Sequence, residues 1–258
     1  MKICVFGCSG FLGKEFVNFV GDKHFLILPS RKNKEEKREE NKIYSPFDIE
    51  KNISEHKPDM IVNFIGILKE TRYETYNEAH VNNVIRMTDA AIKNKVKKII
   101  HVSAYGVYKG LGSAYFKTKE KAEEIIKNSG LEYLIIRPSI VLGEGQKLIG
   151  DLTKISRFSP VVLAPTGKVA PVDVKEVINV VMRGIDGESG VVEVLGNVIT
   201  YSDLFKMLLD SIGVKRIVVE VPNFLFLPLV ITEFFMKDPL MTYDLYKMMS
   251  FGNIYDKK

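Results

Sequence analysis

Short apolar runs alternate with amphipathic segments through the first half of the chain, and each segment returns to the three-and-four spacing of a helix. "KICVF" (2–6) predicts a strand, residues 11–20 a helix and "HFLILPS" (24–30) a second strand. "DMIVNFIG" (59–66), "KKIIHVS" (97–103) and "EYLIIRP" (132–138) predict three more, separated by helices over 77–94 and 114–128. Strands that are apolar throughout belong to a sheet covered on both faces by crossover helices. The expected fold class is therefore α/β, a doubly wound parallel sheet.

Elsewhere the pattern weakens. "RKNKEEKREENK" (31–42) mixes both charge signs with no apolar period, which beyond its first residue predicts a solvated loop or short exposed helix. Past about residue 142, Pro160, Pro165 and Pro171 divide shorter elements. The chain thus reads as a regular core over 1–142 and a smaller mixed lobe over 143–258, interleaved with it and folding as one unit, with no internal repeat. In that lobe "GVVEVLG" predicts a further strand, and Thr200 with Asp203 a capped start for the helix "LFKMLLDSIG". "FLFLPLVITEFF" (224–235) is shorter than the roughly 20 apolar residues of a membrane span and contains Pro228 and Glu233. It predicts a helix packed on the protein's own core, with a membrane-surface or partner-facing helix as the alternative.

Composition narrows the chemistry. With 258 residues, 46% of them apolar, a sizeable core is available. Lys and Arg exceed Asp and Glu by 37 to 32, a mild and dispersed excess that does not point to nucleic acid. Cys4 and Cys8 are too few for a disulfide framework, and with His24, His56, His80 and His101 far apart no metal-ligand spacing arises. These residues read as structural or surface groups. Met1 runs directly into the first strand without an apolar leader, so the expected location is cytoplasmic.

Between the first strand and first helix lies "GCSGFLG", which sets Gly7, Gly10 and Gly13 three apart. A strand, a glycine turn and a helix N-terminus bring free backbone N–H groups and the positive end of a helix dipole to one place, which attracts phosphate. Glycines serve there for the sharp turn, for backbone approach to a pyrophosphate and for close packing of helix on strand. The second strand ends in Ser30, Arg31 and Lys32, where a carboxylate would mark NAD and a basic group NADP. A guanidinium can fork onto a phosphate and a hydroxyl can donate to it, so NADP(H) is favoured over NAD(H), with Arg31 as the leading ligand.

Further motifs follow in order: "NFIGIL", "HVN", "KKIIHVSAYGV", Tyr115 and Lys119 in "SAYFKTKEKAEE", "IIRPSIVLGEG", "PVDVKEVINVV" and "DPLMTYDLYKM". Together with the glycine loop they resemble the short-chain dehydrogenase/reductases, in their extended and atypical branches. The order is most similar to the group that contains the nucleotide-binding accessory subunit of respiratory complex I and its prokaryotic relatives, many of them labelled NAD-dependent epimerases or dehydratases. The resemblance runs from residue 1 to about 254 and implies a Rossmann core. It implies that Gly7, Ser9, Gly10, Phe11 and Leu12 form the pyrophosphate loop and that Asp48 and Ile49 lie beside the adenine. Phe64, Ile65 and Gly66 would pass under the ribose; Ser103, Lys119, Pro138, Ser139 and Ile140 would line the nicotinamide end. Asn82 is placed similarly to a helix Asn of the family.

The resemblance also assigns Tyr115 as acid/base and Lys119 as its activator and cofactor clamp. Four residues apart, they share a helix face, where an ammonium would lower the tyrosine pKa. The family's active members carry a Ser or Thr beyond the preceding strand; aligned through Val107 and Tyr108, that place falls on Ala104. Neighbouring side chains of an extended strand point to opposite faces, so Ser103 does not simply replace it. The connection to Tyr115 is short as well. Two functions stay open: an NADP-dependent oxidoreductase or sugar-nucleotide-epimerase-like enzyme acting on a small molecule, or a catalytically weak or inactive cofactor-binding accessory or assembly subunit of a respiratory complex, peripheral to the membrane.

Overall fold

β1 (Lys2–Phe6) runs through the middle of the main sheet, with β2 (Phe25–Ser30) on one side and β5 (Met60–Asn63) on the other. The protein is described by a computed structural model covering residues 1–71, 73–107, 112–236, 239 and 241–250. Outward from β2 lie β4 (Lys42–Pro46) and β3 (Lys37–Glu39); outward from β5 lie β6 (Lys98–Val102), β7 (Glu132–Pro138) and β12 (Gly190–Val194). Every pair in this sheet is parallel except β3 with β4. The two neighbours of β1 are reached by crossovers to opposite sides. The carboxyl ends of β1 and β5 therefore flank the switch point where such sheets bind ligands.

Helices cover both faces. α1 (Phe11–Val20) and α6 (Val174–Ile185) bury one set of strand side chains, including Ile3, Val5, Ile100 and Leu134. α2 (Ile49–His56), α3 (Asn83–Lys93) and α4 (Ala114–Asn128) bury the other, including Cys4, Phe6, Ile61 and Ile99. Consecutive strand residues thus enter different core layers, the alternation expected of a pleated strand buried on both faces.

The remaining elements form the lobe. β9 (Val161–Pro165) pairs with β14 (Ile217–Val221), and α5 (Lys147–Phe158) and α7 (Tyr201–Ser211) pack over them around Leu152, Val162, Leu204, Leu208 and Leu209. Thr200 caps α7, its Oγ1 accepting from Asp203 N at 3.0 Å. Two small pairings complete the architecture, β8 (Val141–Leu142) with β11 (Val172–Asp173) against the main core and β10 (Lys168–Val169) with β13 (Ile199–Thr200) within the lobe.

Four expectations are revised. "GVVEVLG" yields β12, which pairs with β7 at the edge of the main sheet rather than in the lobe, because α6 carries the chain back across the core. The charged segment 31–42 contains β3, an exposed strand pairing with β4 without contributing apolar burial, so no hydrophobic pattern marks it. The helix expected over 77–94 opens as a π-helical stretch, Asn77–Asn82, before α3 begins. Residues Asn223–Ile231 form a 3-10 helix with no buried residue, followed by the short α8 (Thr232–Phe235). Phe234 and Phe235 are 81% and 84% exposed. Pro228 lacks an N–H and interrupts α-helical bonding, and the apolar side chains point all round the axis, so the segment cannot bury one face. Among the described residues, no helix is long and apolar enough to cross a membrane.

Candidate functional site

The glycine turn leaves β1 with Gly7 at φ 79°, a conformation side chains disfavour. A methyl there would lie 2.9 Å from the backbone of Phe64 and Ile65, and one on Gly13 only 2.2 Å from Gly7 O. These glycines let three backbone segments touch. Gly10 is different: a methyl there meets only Gly7 O, at 3.3 Å. Gly10 is the N-cap of α1, and no side chain caps the helix. Its leading N–H groups are an anion-binding end of the kind a pyrophosphate uses. Phe11 and Leu12 pack partly into the core and Ser9 stays exposed.

Beside this end lies a cleft of about 280 Å³ lined by Ser9, Lys14, Ser30, Lys32, Asn33 and Tyr44, among others, with no carboxylate among its lining residues. In the sequence Lys14 reads as an ordinary exposed helix residue, with no signal that marks it for the cleft. Arg31, the expected leading ligand, instead meets Glu74 at 3.2 Å and is 71% exposed. Ser30 Oγ accepts from Lys32 N at 3.3 Å, shaping the turn that brings Lys32 to the cleft. Cys8 also lines it, but burial pushes its thiol up to about 11, so it is not a nucleophile near neutrality.

Asp48 caps α2, its Oδ1 accepting from Lys51 N at 2.9 Å, and the Ile49 side chain is buried in the core. Phe64 takes the place after β5 with its ring 5.4 Å from Phe16; Ile65 N donates to Asn63 Oδ1 at 2.9 Å. A methyl on Gly66 would lie 3.1 Å from Lys119 Nζ, so this glycine opens the strand end to the lysine. At the far side Tyr105 N donates to Pro138 O, Ser139 N to Val194 O and Val172 N to Ile140 O, which fixes that stretch to the sheet and to β11.

Lys119 is only 3% exposed and donates to Val102 O at 2.9 Å. Burial brings its pKa down to about 8, against the opposing pull of Glu123. Glu123 itself is held below the ordinary carboxyl value: burial raises it, but hydrogen bonds from Arg137 and Ser103 prevail. Arg137 reaches Glu123 twice, at 3.0 and 2.7 Å, and Ser103 Oγ donates to it at 2.6 Å. The hydroxyl of Ser103 is thereby committed to the interior network between α4 and β7.

Two histidines assigned to the background lie here. His80 Nε2 accepts from Ile67 N at 3.1 Å, so its proton is on Nδ1, which donates to Thr118 Oγ1 at 2.9 Å. It joins the loop after β5 to α4. His101 Nδ1 takes the Asn63 amide at 3.0 Å, while its buried Nε2 has no hydrogen-bond partner among the described residues. Burial, then the Lys119 charge, holds both imidazoles neutral. Asn82 instead binds Glu78. No ligand spacing flagged these histidines, because the sheet and the π-helical stretch bring them together only in space.

Tyr115 departs from expectation. It is 8% exposed and packs edge-on against Tyr76, His80 and Phe116. Burial raises its pKa to about 12, with the Asp244 charge adding to the rise. The anticipated lowering by Lys119 is absent because the ring is desolvated among aromatics and faces a carboxylate of the C-terminal helix α9 (Tyr243–Ser250). Ala104 and Val107 belong to the same cluster, whereas Tyr108 and the connection over 108–111 lie outside the described residues, as do Asp238 and Leu240 of the C-terminal motif.

Residues 43–177, just over half the chain, match the NAD(P)H-binding family. The chain belongs to that family. The match starts after the glycine loop, so the loop is an independent indication of the same ligand class. This NAD(P)H-binding protein is 24% identical over 165 residues to the NADH-ubiquinone oxidoreductase 40 kDa subunit of Neurospora crassa, across 60% of the chain and 44% of that subunit. It is 25% identical over 251 residues to the NADH dehydrogenase 1 alpha subcomplex subunit 9 of Arabidopsis thaliana, across 89% and 61%. The chain thus spans less than two thirds of either relative's length. Its fold matches the Bordetella bronchiseptica enzyme WbmH in complex with NAD+ at a TM-score of 0.72 and 14% identity, over 98% and 97% of the two chains. A Bacillus anthracis dTDP-4-dehydrorhamnose reductase in complex with NADP gives 0.68 at 16% identity, over 87% and 85%. Subunits of the complex I group named from the motifs are thus among its relatives, and its fold is shared by proteins solved with NAD+ or NADP.

Proposed function

We propose that the protein binds NADP(H) across the carboxyl ends of the central strands and acts as an oxidoreductase or sugar-nucleotide-epimerase-like enzyme on a small molecule. The carrying observation is the cleft beside the uncapped end of α1, where Lys14, Lys32, Ser9 and Ser30 converge without a carboxylate. A 2′-phosphate is stabilised by such a group of donors, whereas the diol of NAD would call for an acid. When bound, the nicotinamide supplies a hydride. The chain's own residues do the rest. Gly66 leaves room for Lys119 at the ribose end, and Lys119, ionised below about pH 8, supplies positive charge near Tyr115. Tyr115 Oη is the proton donor or acceptor for a substrate oxygen; with its pKa near 12 it is a donor at neutral pH, suited to reduction. Without a hydroxyl at Ala104 to hold that oxygen, turnover is expected to be slow, by on the order of 100-fold. Residues 1–142 form the coenzyme half and 143–258 the substrate side, interleaved with it through α6, which packs on the main sheet, and β12, which pairs within that sheet.

Calorimetric titration with NADPH and NADH tests the assignment: NADPH binds at least about tenfold tighter. Equal affinities overturn the NADP preference, and no uptake of either overturns the cofactor reading. On any substrate found, Tyr115→Phe abolishes turnover; full retention removes Tyr115 from the chemistry.

A second reading rests on a separate observation, the apolar stretch 223–236 that leaves Phe224, Ile231, Phe234 and Phe235 exposed. Such a patch fits a peripheral accessory or assembly subunit of a respiratory complex, docked on a membrane-bound partner, with the bound coenzyme stabilising the fold. Copurification from native membranes tests it. Phe234→Asp with Phe235→Asp releases the protein if this reading holds, and an unpartnered wild-type protein overturns it.

A further inference from the structure

We infer that Asp244 is a positioning residue for Tyr115: the C-terminal helix α9 supplies the carboxylate that fixes where the Tyr115–Lys119 helix begins. The inference rests on the reading of Tyr115 as the proton-handling group and deepens it. A helix exposes four N–H groups at its start. In α4, Ala114 N donates to Asp244 Oδ1 at 2.7 Å and Tyr115 N to Oδ2 at 3.0 Å, from 130 and 129 residues away in sequence. Phe116 N donates to Ser113 Oγ at 3.4 Å and Lys117 N to Ser113 O at 3.1 Å. Ser113 Oγ in turn donates to Asp244 Oδ2 at 2.9 Å. One local residue and one distant carboxylate therefore satisfy the N–H groups of the first three helical residues, and Lys117 N makes the first ordinary helical bond. Ser113 Oγ alone reaches only the third.

The first two matter for chemistry. Tyr115 is the second residue of α4, and each residue turns a helix by about 100°. If the first turn frays, the direction of the phenol is lost while Lys119, a full turn deeper, keeps its bond to Val102 O. Three contacts hold Asp244 in place. Met248 packs on the aromatic cluster around Tyr115, Lys69 Nζ donates to Pro239 O at 2.5 Å, and Tyr243 N donates to Glu233 Oε2 at 2.9 Å. Residues 239 and 241–250 thus strap the lobe's end to the start of α4.

The titratable groups packed around Tyr115 and Asp244 are Tyr76 and His80, in ring contact with Tyr115, Lys119 one turn along α4, Glu70, which accepts from Tyr76 N, Glu233, which accepts from Tyr243 N, and Lys247 on the helix of Asp244 itself. Among these, the Asp244 charge raises both Tyr76 and Tyr115, in each case after burial. Removing it should move a titration that a purely structural clip would leave alone.

The test compares full-length wild type with Asp244→Asn, using hydrogen exchange at the Ala114 and Tyr115 amides and NMR of tyrosine ring carbons, with Tyr115→Phe to assign the signal. In Asp244→Asn those two amides exchange on the order of tenfold faster. The Tyr115 phenol starts to ionise closer to the free tyrosine value of about 10. NADPH affinity changes by less than about twofold, because Lys119 and the glycine loop are untouched. A folded Asp244→Asn with wild-type exchange and an unmoved phenol titration overturns the inference. Should that variant not fold, Met248→Asp, which undocks α9 without altering the carboxylate, is read in the same way and must give the same two changes. If wild type binds no NADPH, the cofactor reading fails, while exchange and titration still decide the role of Asp244.

Discussion

Two helices of the core, α1 and α4, begin in opposite ways. α1 starts at Gly10 with no side-chain cap, beside a cleft with two lysines. α4 starts with its first N–H groups bonded to Asp244 and Ser113. The same physical object, the positive end of a helix with orphan donors, is left open to a ligand in one case and filled by the protein's own carboxylate in the other. Where the chain supplies the anion the end is structural. Where it supplies only glycine, the end is available for phosphate.

That contrast can be broken at several points. The largest effect is expected for Gly13→Ala, whose methyl would lie 2.2 Å from Gly7 O and 2.7 Å from Cys8 Cα. Both obstacles are backbone, so the turn must move, and urea unfolding should show a loss of about 3–5 kcal/mol. Next, Lys14→Ala combined with Lys32→Ala should weaken NADPH by about 30-fold, roughly 2 kcal/mol, and leave NADH within about twofold. An equal loss for both coenzymes would mean that the lysines act on the pyrophosphate instead.

Lys119 gives a stability change of opposite sign. Its pKa is about 8 in the fold against an ordinary 10.5, so between these values the unfolded chain binds more protons and stability rises with pH. Below about pH 8 its buried charge costs up to roughly 3 kcal/mol. Lys119→Met removes that cost together with the bond to Val102 O, so it should stabilise the protein by about 1–2 kcal/mol near pH 7. The advantage fades as pH rises from about 8 to 10.5, as chemical unfolding across that window would record. If Lys119 clamps the coenzyme as proposed, NADPH affinity should fall in the same variant. The smallest effect is Ser113→Ala, about 1 kcal/mol of lost capping with NADPH affinity unchanged. A large loss of affinity there would erase the distinction between the two helix starts.

How far the sequence could be read followed physical range. β1, α1, β7 and α4 were legible because each has its own periodic pattern, and the glycines at 7, 10 and 13 mark a turn whose chemistry is local. β3 was hidden because an exposed edge strand buries nothing. β12 reads as a strand, but of the lobe rather than of the main sheet, since pairing depends on where α6 returns the chain. Residues 224–235 were readable as apolar, but not as uncovered.

The site divides along the same line. That Gly7, Gly10 and Gly13 serve a close backbone turn, that Ser30, Arg31 and Lys32 follow one another at the end of the second strand, and that Tyr115 and Lys119 share a helix face were fixed by residues near one another in the chain. Tertiary structure decided the environment of those groups. It paired Arg31 with Glu74 and brought Lys14 to the cleft, buried Lys119 beside two histidines, and set Asp244 against the start of α4. A helix face or a turn follows from steric and hydrogen-bond rules acting over a few residues. A pKa depends on desolvation and on charges gathered from distant parts of the chain, and these exist only once the strands, the lobe and the C-terminal strap have closed around the ring.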